Sequence, residues 1–487
     1  MVENLRRIQK ETSHLHFIGI GGIGMSAIAM VLRKKGFSIS GSDLKQNNAI
    51  KELEKNGAQI FYNQQAENIH KLCDSTKTLP TIVVSTAIPK ANLELLEAEK
   101  LGLSILHRSD VLASLISNQE SILVAGSHGK TTTSTIISTL LKISQQDPTA
   151  IIGGIVPIFN SNYHIGKGKF LVAEADESDG TLTKFKGTIG IITNIELDHT
   201  DYYKNLDSLK DTMNIFSKNC NQTIANYDCK NLRDYKHCNT IWYSRKIIKG
   251  MHFSAIPICT NEKELIVDYY ENEQFISKLK MPLPGLHNLS NTLAAISACR
   301  IAGLTFNDLK KNLQYIKSPK RRFEFKGLWK GRRIIDDYAH HPSEIDATIS
   351  TARLVESNQN DGITTFTKKL VVIFQPHRYS RTKDLLNDFA ISLGKADKVF
   401  LTQIYSAGEK KIKGIDTQKL ARLIRKKYEN IPVYSCDNFI ELEKVLENKT
   451  SNDDMLIFMG AGDIDKFSEK LVNSNQTNKL KSTNCAA

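Results

Sequence analysis

The sequence predicts an α/β protein built from more than one domain, and three observations support this prediction. The chain has 487 residues, which is too many for one ordinary hydrophobic core. In both outer thirds, short apolar runs alternate with helical segments, a pattern typical of parallel sheets covered by helices. Residues from about 240 to 281 instead alternate apolar and polar side chains, which favours antiparallel strands.

The first third begins the alternation and contains a glycine-rich loop. His14 to Ile20 is a predicted strand, Ile23 to Lys35 a helix, and Phe37 to Ser40 a second strand. The loop GIGGIGMS spans residues 19–26 and matches G-x-G-x-x-G, in which glycine lets the backbone approach a diphosphate at a helix start. Asp43 ends the second strand, where an acid can hold a ribose hydroxyl. Alone, the loop indicates a dinucleotide site; a tight turn without a ligand is the alternative.

A second unit is predicted to begin near Glu120, where the strand Ser121 to Ala125 feeds another glycine loop. This loop departs from the pattern G-x-x-x-x-G-K-[ST], because Val124 stands where the first glycine belongs. It keeps a lysine for the β- and γ-phosphates and a threonine for Mg²⁺, and a turn without a nucleotide is the alternative. The residues expected to contact the phosphates are Gly126, Ser127, His128, Gly129, Lys130, Thr131 and Thr132.

Polar residues also follow two further predicted strands of this unit, Phe170 to Ala173 and Gly190 to Thr193. The first is followed by Glu174-Ala-Asp-Glu-Ser-Asp179, whose carboxylates suit Mg²⁺ beside a phosphate, although such a loop can simply be solvated. The second leads to His199, which can ligate a second cation or handle a proton. A predicted helix from His287 to Arg300 closes the unit. Its start, PGLHNLSN, places His287 and Asn291 to contact a nucleotide, with helix capping by Asn288 as the alternative.

Ser318 to Arg322 resembles a domain joint, after which the α/β alternation resumes. The predicted strands are Leu370 to Phe374, Val399 to Gln403 and Met455 to Phe458, and Arg381 to Leu393 is a predicted helix. Two strands end in DDYAHHP (residues 336–342) and FQPHRYSR (residues 374–381). Both place polar side chains at the carboxyl ends of strands, where open α/β sheets bind ligands. Core or capping roles for single residues are the alternative.

Composition narrows the class of protein. Hydrophobic residues make up 40% and charged residues 24% of the chain, which indicates a globular protein. The net charge of +13 is spread along the chain, so it favours small anionic substrates over nucleic acid. Eight cysteines without a Cys-x-x-Cys pair fit a reducing cytoplasm. Met1 to Arg6 leads into no apolar signal core, and no run of about 18 apolar residues predicts a membrane span.

In their order along the chain, these motifs resemble the Mur ligase family. The ordered set spans residues 19–464 and reads GIGGIGMS, GSHGKTTT, EADESD, TNIELDH, PGLHNLSN, RRF, DDYAHHPSE, FQPHRYSRT and GAGDI. Within the family, GIGGIGMS and FQPHRYSRT are most similar to the alanine-adding member. Met213 lies where later-acting members carry a carbamylated lysine. Leu286 is a departure, because many members have arginine there.

The resemblance implies a fold of three domains. They are a Rossmann-like N-terminal domain (1–117) for UDP-N-acetylmuramate, a central P-loop-type ATPase domain with a mixed sheet (118–317) for ATP and Mg²⁺, and a Rossmann-like C-terminal domain (318–487) for L-alanine. The implied activity is ATP-dependent ligation of L-alanine to the lactyl carboxylate of UDP-N-acetylmuramate through an acyl phosphate, by a cytoplasmic monomer or homodimer.

The resemblance also implies roles for individual residues. The nucleotide sugar would contact Gly21, Gly22, Ile23, Gly24, Met25, Ser26, Asp43, Ser85 and Thr86. Thr131, Glu174 and His199 would hold Mg²⁺, and His287 and Asn291 would complete the ATP site. Chemistry at the γ-phosphate and the amine would involve Lys130, His199, Tyr338, His340, Arg378 and Arg381, with the alanine carboxylate on Arg378 or Arg381. The group that deprotonates the amine stays open. A muropeptide-recycling ligase and a non-enzymatic nucleotide sensor are the alternative functions.

Overall fold

The computed structural model describes residues 14–76, 78–234, 239–260, 265–357 and 369–484. The start of the chain, for which no signal peptide is predicted, lies outside these residues. The described strands form three sheets that follow one another along the chain. The protein is thus an α/β fold of three domains, as the resemblance drawn from the sequence motifs implies.

The first sheet consists of five parallel strands in the order β3-β2-β1-β4-β5. Their bounds are β1 His14–Ile18, β2 Ser38–Ser42, β3 Gln59–Phe61, β4 Thr81–Val84 and β5 Ile105–His107. The helices are α1 Ile23–Lys34, α2 Asn48–Lys55, α3 Ala66–Ser75, α4 Leu93–Lys100 and α5 Arg108–Ser117. Because β2 and β4 flank β1, the strand order reverses there, and the glycine loop after β1 lies at the position where such sheets bind ligands.

The second sheet has ten strands in the order β15-β14-β13-β12-β11-β10-β6-β9-β7-β8. Their bounds are β6 Glu120–Ala125, β7 Thr149–Val156, β8 Ser161–His164, β9 Phe170–Glu174, β10 Ile189–Ile192, β11 Gln222–Asn226, β12 Thr240–Ser244, β13 Phe253–Thr260, β14 Leu265–Glu271 and β15 Gln274–Met281. The helices are α6 Lys130–Ile143, α7 Leu206–Lys218, α8 Leu286–Ile301 and α9 Phe306–Asn312. Short 3₁₀ helices span Thr181–Lys184, Lys230–Leu232 and Leu313–Tyr315.

The pairing within the second sheet is mixed, as predicted, but the antiparallel part is shorter than the sequence pattern suggests. β13, β14 and β15 pair antiparallel. β12 instead pairs parallel with both β11 and β13. It therefore belongs to the parallel part of the sheet, although its sequence shows the same alternation. Alternation reports that one face of a strand is buried and does not report the direction of its neighbour.

The third sheet has six strands in the order β16-β17-β21-β18-β19-β20, and only β16 runs antiparallel among the described strands. Their bounds are β16 Glu324–Trp329, β17 Arg332–Asp337, β18 Leu370–Phe374, β19 Lys398–Leu401, β20 Val433–Ser435 and β21 Met455–Met459. The helices are α10 Pro342–Ser357, α11 Tyr379–Asp384, α12 Leu386–Leu393, α13 Thr417–Lys427, α14 Phe439–Lys449 and α15 Ile464–Asn484. β18 and β21 are buried along their whole length, as expected for central parallel strands covered on both faces.

One predicted helix of this domain is divided. The segment predicted as a single helix from Arg381 to Leu393 forms α11 and α12, which are separated at Leu385. α11 buries Arg381 and Thr382, whereas α12 buries Phe389, Ala390, Ser392 and Leu393. The break thus separates a segment that buries polar side chains from one that buries mainly apolar ones. Among the described residues, no helix combines the length and apolar character that crossing a membrane requires.

Candidate active site

The phosphate-type loop lies between β6 and α6, and two of its glycines are required by the backbone. Gly126 and Gly129 have φ values of +123° and +85°, a region that side-chain-bearing residues rarely adopt. A Cβ atom at Gly126 would lie 2.2 Å from Thr193 Oγ1, and one at Gly129 would lie 2.3 Å from Asn291 Oδ1. The second contact places the predicted Asn291 directly against the loop.

Lys130 begins α6 and turns its side chain across the loop. Its Nζ atom donates to the Gly126 carbonyl at 2.7 Å and to Glu177 at 2.7 and 2.9 Å. Burial opposes the charged form of Lys130, but Glu177 and Asp176 raise its pKa overall. Burial raises the pKa of Glu177 to about 7 in spite of Lys130. Lys130 is therefore a buried cation that is held by an anion across the loop, which is the charge a phosphate-binding lysine needs.

Thr131 and Glu174, which the resemblance implies as cation ligands, meet at the carboxyl end of β9. Thr131 Oγ1 donates to Glu174 Oε2 at 3.2 Å, and the Gly153 amide donates to Glu174 Oε1 at 2.7 Å. Burial raises the pKa of Glu174 even though these donors and Lys130 act in the opposite direction. The negative charge of Glu174 is thus undercompensated, so a hard cation such as Mg²⁺ fits beside this pair of oxygen ligands.

His199 lies on the other side of Glu177. It has a φ of +53°, and its Nε2 atom lies 3.7 Å from Glu177 Oε1 and 3.8 Å from Asp198 Oδ2. Burial lowers the pKa of His199, which leaves a neutral imidazole that is able to ligate a metal ion. The structure therefore places His199 beside Glu177, which belongs to the predicted carboxylate segment but was given no individual role.

A cavity of about 760 Å³ lies between the second domain and the third and is lined by residues of both. The predicted nucleotide residues His128, Gly129, Thr132, His287 and Asn291 line it, together with Leu286. Burial lowers the pKa of His287 to about 4, so its ring is neutral. Asn288 does not cap the helix, since the N-cap is Gly285; its side chain donates to the Pro284 carbonyl at 2.8 Å.

Several residues that line the cavity are not indicated by the sequence motifs as ligand contacts. They are Asn226, Asp228, Arg245, Arg322, Asp337, Ser343, Glu344 and Thr351. Asn226 and Arg245 lie at the ends of parallel strands β11 and β12, so the rule that polar residues at strand ends face a ligand would have found them. Arg322 and Asp337 lie within motifs that were recognised without being assigned to the site.

The third domain brings Tyr338 and His340 together at the end of β17, with ring centroids 5.4 Å apart. His340 Nδ1 lies 3.1 Å from Glu344 Oε2. Arg378 and Arg381, the two arginines predicted to bind the alanine carboxylate, differ in their exposure and in their ion-pair partners. Arg378 is one-third exposed and lies 3.2 Å from Asp201. Arg381 is buried and donates to Asp198 with three bonds of 2.8 to 3.1 Å. Arg381 is therefore committed to an interdomain ion pair, and Arg378 is the more accessible of the two.

In the first domain, Asp43 directly follows β2 and holds the glycine loop. Its Oδ2 atom accepts from the Gly21 amide at 2.9 Å, and its Oδ1 atom accepts from the Lys45 amide at 3.0 Å. The side-chain amide of Asn47 also supports the loop by donating to the Gly21 carbonyl at 2.9 Å. The structure thus gives Asp43 a role in shaping the loop, in addition to the ribose contact predicted from its position.

The glycine loop faces the second domain. The contacts across the boundary include a hydrogen bond of 2.6 Å from Asn162 to the Ile23 carbonyl and an ion pair of 3.2 Å between Arg108 and Asp176. Thr86, which follows β4, lies 3.5 Å from Asp179. Arg108 was missed in the sequence. Its guanidinium lies beside Gly24, where a Cβ atom would be 2.9 Å from Nη1, so it joins the glycine loop to the carboxylate loop of the second domain.

Three family models match successive parts of the chain. The Mur ligase family catalytic domain matches residues 14–120, the Mur ligase middle domain residues 124–299, and the Mur ligase glutamate ligase domain residues 321–462.

Individual relatives are similar over nearly the whole chain. A UDP-N-acetylmuramate–L-alanine ligase from Prochlorococcus marinus is 55% identical over 461 residues, which cover 95% of this chain and 98% of the relative. A ligase of the same name from a Synechococcus species is 47% identical and covers 95% and 96%. The crystal structure of UDP-N-acetylmuramate-alanine ligase from Thermotoga maritima superposes with a TM-score of 0.78 at 28% identity, covering 96% of this chain and 99% of that one. A murein peptide ligase from Psychrobacter arcticus shares the fold, with a TM-score of 0.68 at 20% identity and coverage of 95% and 98%.

Proposed function

Because this chain belongs to the Mur ligase family, we propose that it joins L-alanine to the lactyl carboxylate of UDP-N-acetylmuramate at the expense of ATP. The observation that carries the proposal is the 55% identity, over 95% of the chain, with a relative of that name. Ligation that consumes ATP and serves cell-wall precursor synthesis would take place in the cytoplasm, where the nucleotide substrates are made.

The reaction class has two stages. The lactyl carboxylate attacks the γ-phosphorus of ATP, so an acyl phosphate forms and ADP leaves. The alanine amine then attacks the acyl carbon, loses a proton, and expels inorganic phosphate. The first stage brings one anion to another, and cations are needed to offset the repulsion. Lys130, held at the phosphate loop, supplies one of these cations.

Mg²⁺ is the natural further cation, and the oxygen ligands present fit it. Thr131 and Glu174 would hold one ion, and His199 would hold a second beside Glu177. Bound there, Mg²⁺ would neutralise developing charge on the phosphoryl oxygens. We assign the nucleotide sugar to residues 1–117, ATP to residues 118–317 and L-alanine to residues 318–487. An ion pair of 3.2 Å between Arg108 and Asp176 joins the first domain to the second. This contact supports a single cleft that contains both Lys130 and the glycine loop of residues 19–26.

The alanine carboxylate is assigned to Arg378 in preference to Arg381. Arg378 keeps one-third of its side chain exposed, whereas Arg381 makes three bonds to Asp198. Tyr338 and His340 lie on the same domain and are the candidates to face the amine. The acyl phosphate hydrolyses readily in water, so closure of the third domain over the cleft protects it.

The acceptor specificity tests this function directly. We expect L-alanine to be the preferred acceptor, with glycine and L-serine as weak substitutes and a tripeptide excluded. A missing methyl group changes the barrier by only about 1–3 kcal/mol, and an added hydroxyl is rejected by roughly a hundredfold at most. A tripeptide has to fit between closing domains, which is a steric limit. The measurement is kcat/KM for the four acceptors at fixed ATP, Mg²⁺ and UDP-N-acetylmuramate.

The same assay separates the alternatives. A tripeptide that is used better than L-alanine would assign the chain to muropeptide recycling. Phosphate release that requires neither the sugar nucleotide nor an amino acid would contradict a ligase of either kind.

Asp43 provides a test of the sugar-nucleotide site. We expect Asp43→Ala to weaken UDP-N-acetylmuramate by roughly 1–3 kcal/mol, because the variant loses charge-assisted hydrogen bonds that shape the loop. ATP affinity should stay unchanged, since the phosphate loop lies on a different sheet. Calorimetry with each ligand measures both affinities, and Asp74→Ala, on α3 and exposed, is a control in the same domain. Tight NAD binding without sugar-nucleotide binding would revive a dinucleotide site.

A further inference from the structure

Two histidines and one glutamate converge beside the phosphate loop, and of the three only His128 is among the predicted nucleotide contacts. His128 belongs to that loop, Glu196 follows β10, and His341 lies directly before α10 in the third domain. One ligand atom from each of the three lies within 4.8 Å of the other two. The cluster thus joins the second domain to the third.

The distances within the cluster centre on one carboxylate oxygen. Glu196 Oε2 lies 3.4 Å from His128 Nε2 and 3.9 Å from His341 Nδ1. The two imidazole rings have centroids 4.7 Å apart at an angle of 38°. Two imidazoles on one tetrahedral ion, with metal–nitrogen bonds of about 2.0–2.1 Å, have ring centroids roughly 5 Å apart. The rings are therefore placed as two ligands of a single ion would be.

The ring nitrogens of the cluster are poorly satisfied. Within the part of the chain that the structure describes, the Nε2 atoms of His128 and His341 are buried and have no hydrogen-bond partner of acceptable geometry. His341 is only 6% exposed. Its Nδ1 atom accepts a long bond of 3.4 Å from the Ser343 amide. Because an amide only donates, this nitrogen carries the lone pair, and it lies on the side of Glu196.

A second layer of residues supports the cluster. Glu344 Oε1 lies 3.4 Å from Nδ1 of His128, and the Ser343 hydroxyl donates to Glu196 Oε2. A carboxylate behind a ligating histidine is the arrangement that orients the imidazole in metal sites. The carboxylates of Glu196 and Glu344 each lie 3.4 Å from a ring nitrogen of His128, and their negative charge attracts a metal cation.

We propose that His128, Glu196 and His341 form a site for a transition-metal ion of the Zn²⁺ class, separate from the Mg²⁺ ligands Thr131 and Glu174. Two imidazoles and one carboxylate suit Zn²⁺, Co²⁺ or Ni²⁺, whereas Mg²⁺ prefers oxygen ligands. An ion at this site ties the phosphate loop to the third domain. It therefore restrains the reopening that product release requires, and it acts as an inhibitor of turnover.

Binding of Co²⁺ to the full chain tests the site, with Mg²⁺ in large excess and no substrates present. We expect visible absorption from one bound Co²⁺ that is lost in His341→Gln and in Glu196→Gln. Glu344→Gln should bind it about 10–100-fold more weakly, as is usual for a residue behind a metal ligand. The control is His70→Gln, because His70 forms a surface pair with Glu97 at 3.2 Å and should bind Co²⁺ as the unchanged chain does.

Circular dichroism establishes that each variant is folded before its spectrum is compared. Equal Co²⁺ stoichiometry and absorption in the unchanged chain and in folded His341→Gln would overturn the proposal. The inhibition is read by normalising each protein's ligation rate to its own rate without Zn²⁺. The unchanged chain and His70→Gln should slow, and His341→Gln should be resistant. The binding test needs no ligation, so failure of the ligase function and failure of the metal site give different results.

Discussion

Replacing Lys130 with alanine is expected to abolish ligation while leaving the affinity for UDP-N-acetylmuramate nearly unchanged. The lysine is the fixed cation of the phosphate loop, and removing one such electrostatic contact typically costs about 10²–10³ in kcat. For Lys130→Ala the loss in kcat should reach at least the upper end of this range, because carboxylate attack on a triphosphate brings two anions together. The glycine loop lies on another sheet, so its binding energy should be independent of the change.

The structure adds a control for this experiment. Lys130→Ala leaves the carboxylate of Glu177, which is 1% exposed, without its cation. Breaking a buried pair in this way costs roughly 3–5 kcal/mol of stability where the carboxylate stays ionised, and the cost falls at lower pH, because burial favours protonation of Glu177. The double variant Lys130→Ala/Glu177→Gln should recover stability but not ligation, which separates folding from catalysis. Kinetics, thermal unfolding and calorimetry with the nucleotide sugar measure the three quantities. A large loss of sugar-nucleotide affinity in a folded variant would contradict the assignment of two separate sites.

Arg381→Ala is expected to destabilise the closed arrangement of the second and third domains and to lower ligation by about 10²-fold or more. The side chains of Arg381 and Asp198 are each only 8% exposed. Burial alone would raise the pKa of Asp198, but Arg381 holds it far below its ordinary value. Removing the arginine leaves a buried charge without its partner, at a cost of roughly 3–5 kcal/mol. Asp198 directly precedes His199, so the candidate metal ligand would also lose its support.

Arg378→Ala is the matched comparison. Arg378 pairs with Asp201, whose side chain is 56% exposed, and a pair of that kind contributes only about 0–1 kcal/mol to stability. This variant should therefore raise KM for L-alanine without a large change in unfolding. Asp198→Asn combined with Arg381→Ala should lose less stability than the sum of the single changes. An Arg381→Ala protein of normal stability with a raised KM for L-alanine would return the substrate carboxylate to Arg381.

The elements that the sequence predicted correctly are those whose cause is local. The strand Leu370–Phe374 is a continuous apolar run and needs no partner to be recognised. The phosphate loop was recognisable although Val124 breaks the usual pattern. The two glycines, the lysine and the threonine are each needed for the loop's local conformation or for contact with a phosphate or its cation. Gly126 and Gly129 have positive φ angles, and that requirement acts within a few residues.

The tertiary structure decided which of these residues meet. Arg381 and Asp198 are separated by 183 residues in the chain, and the apolar pattern around either one carries no information about the other. The division of the predicted helix at Leu385 also depends on tertiary packing. Arg381 of α11 is buried because Asp198 of the second domain lies against it. His128 and His341 likewise meet only because the second and third domains are packed against each other.

The sequence by itself therefore determined the α/β class, the order of the motifs and the chemical character of the phosphate loop, since these depend on short-range periodicity and on glycine conformation. Only the tertiary structure decided that Asp43 shapes the glycine loop of residues 19–26, that Glu177 faces Lys130, and that Arg381 is held by Asp198. Each of these contacts depends on how separate strand ends and domains are placed in space. Side chains far apart in the chain are brought into hydrogen-bond distance by packing, and packing is a property of the whole fold.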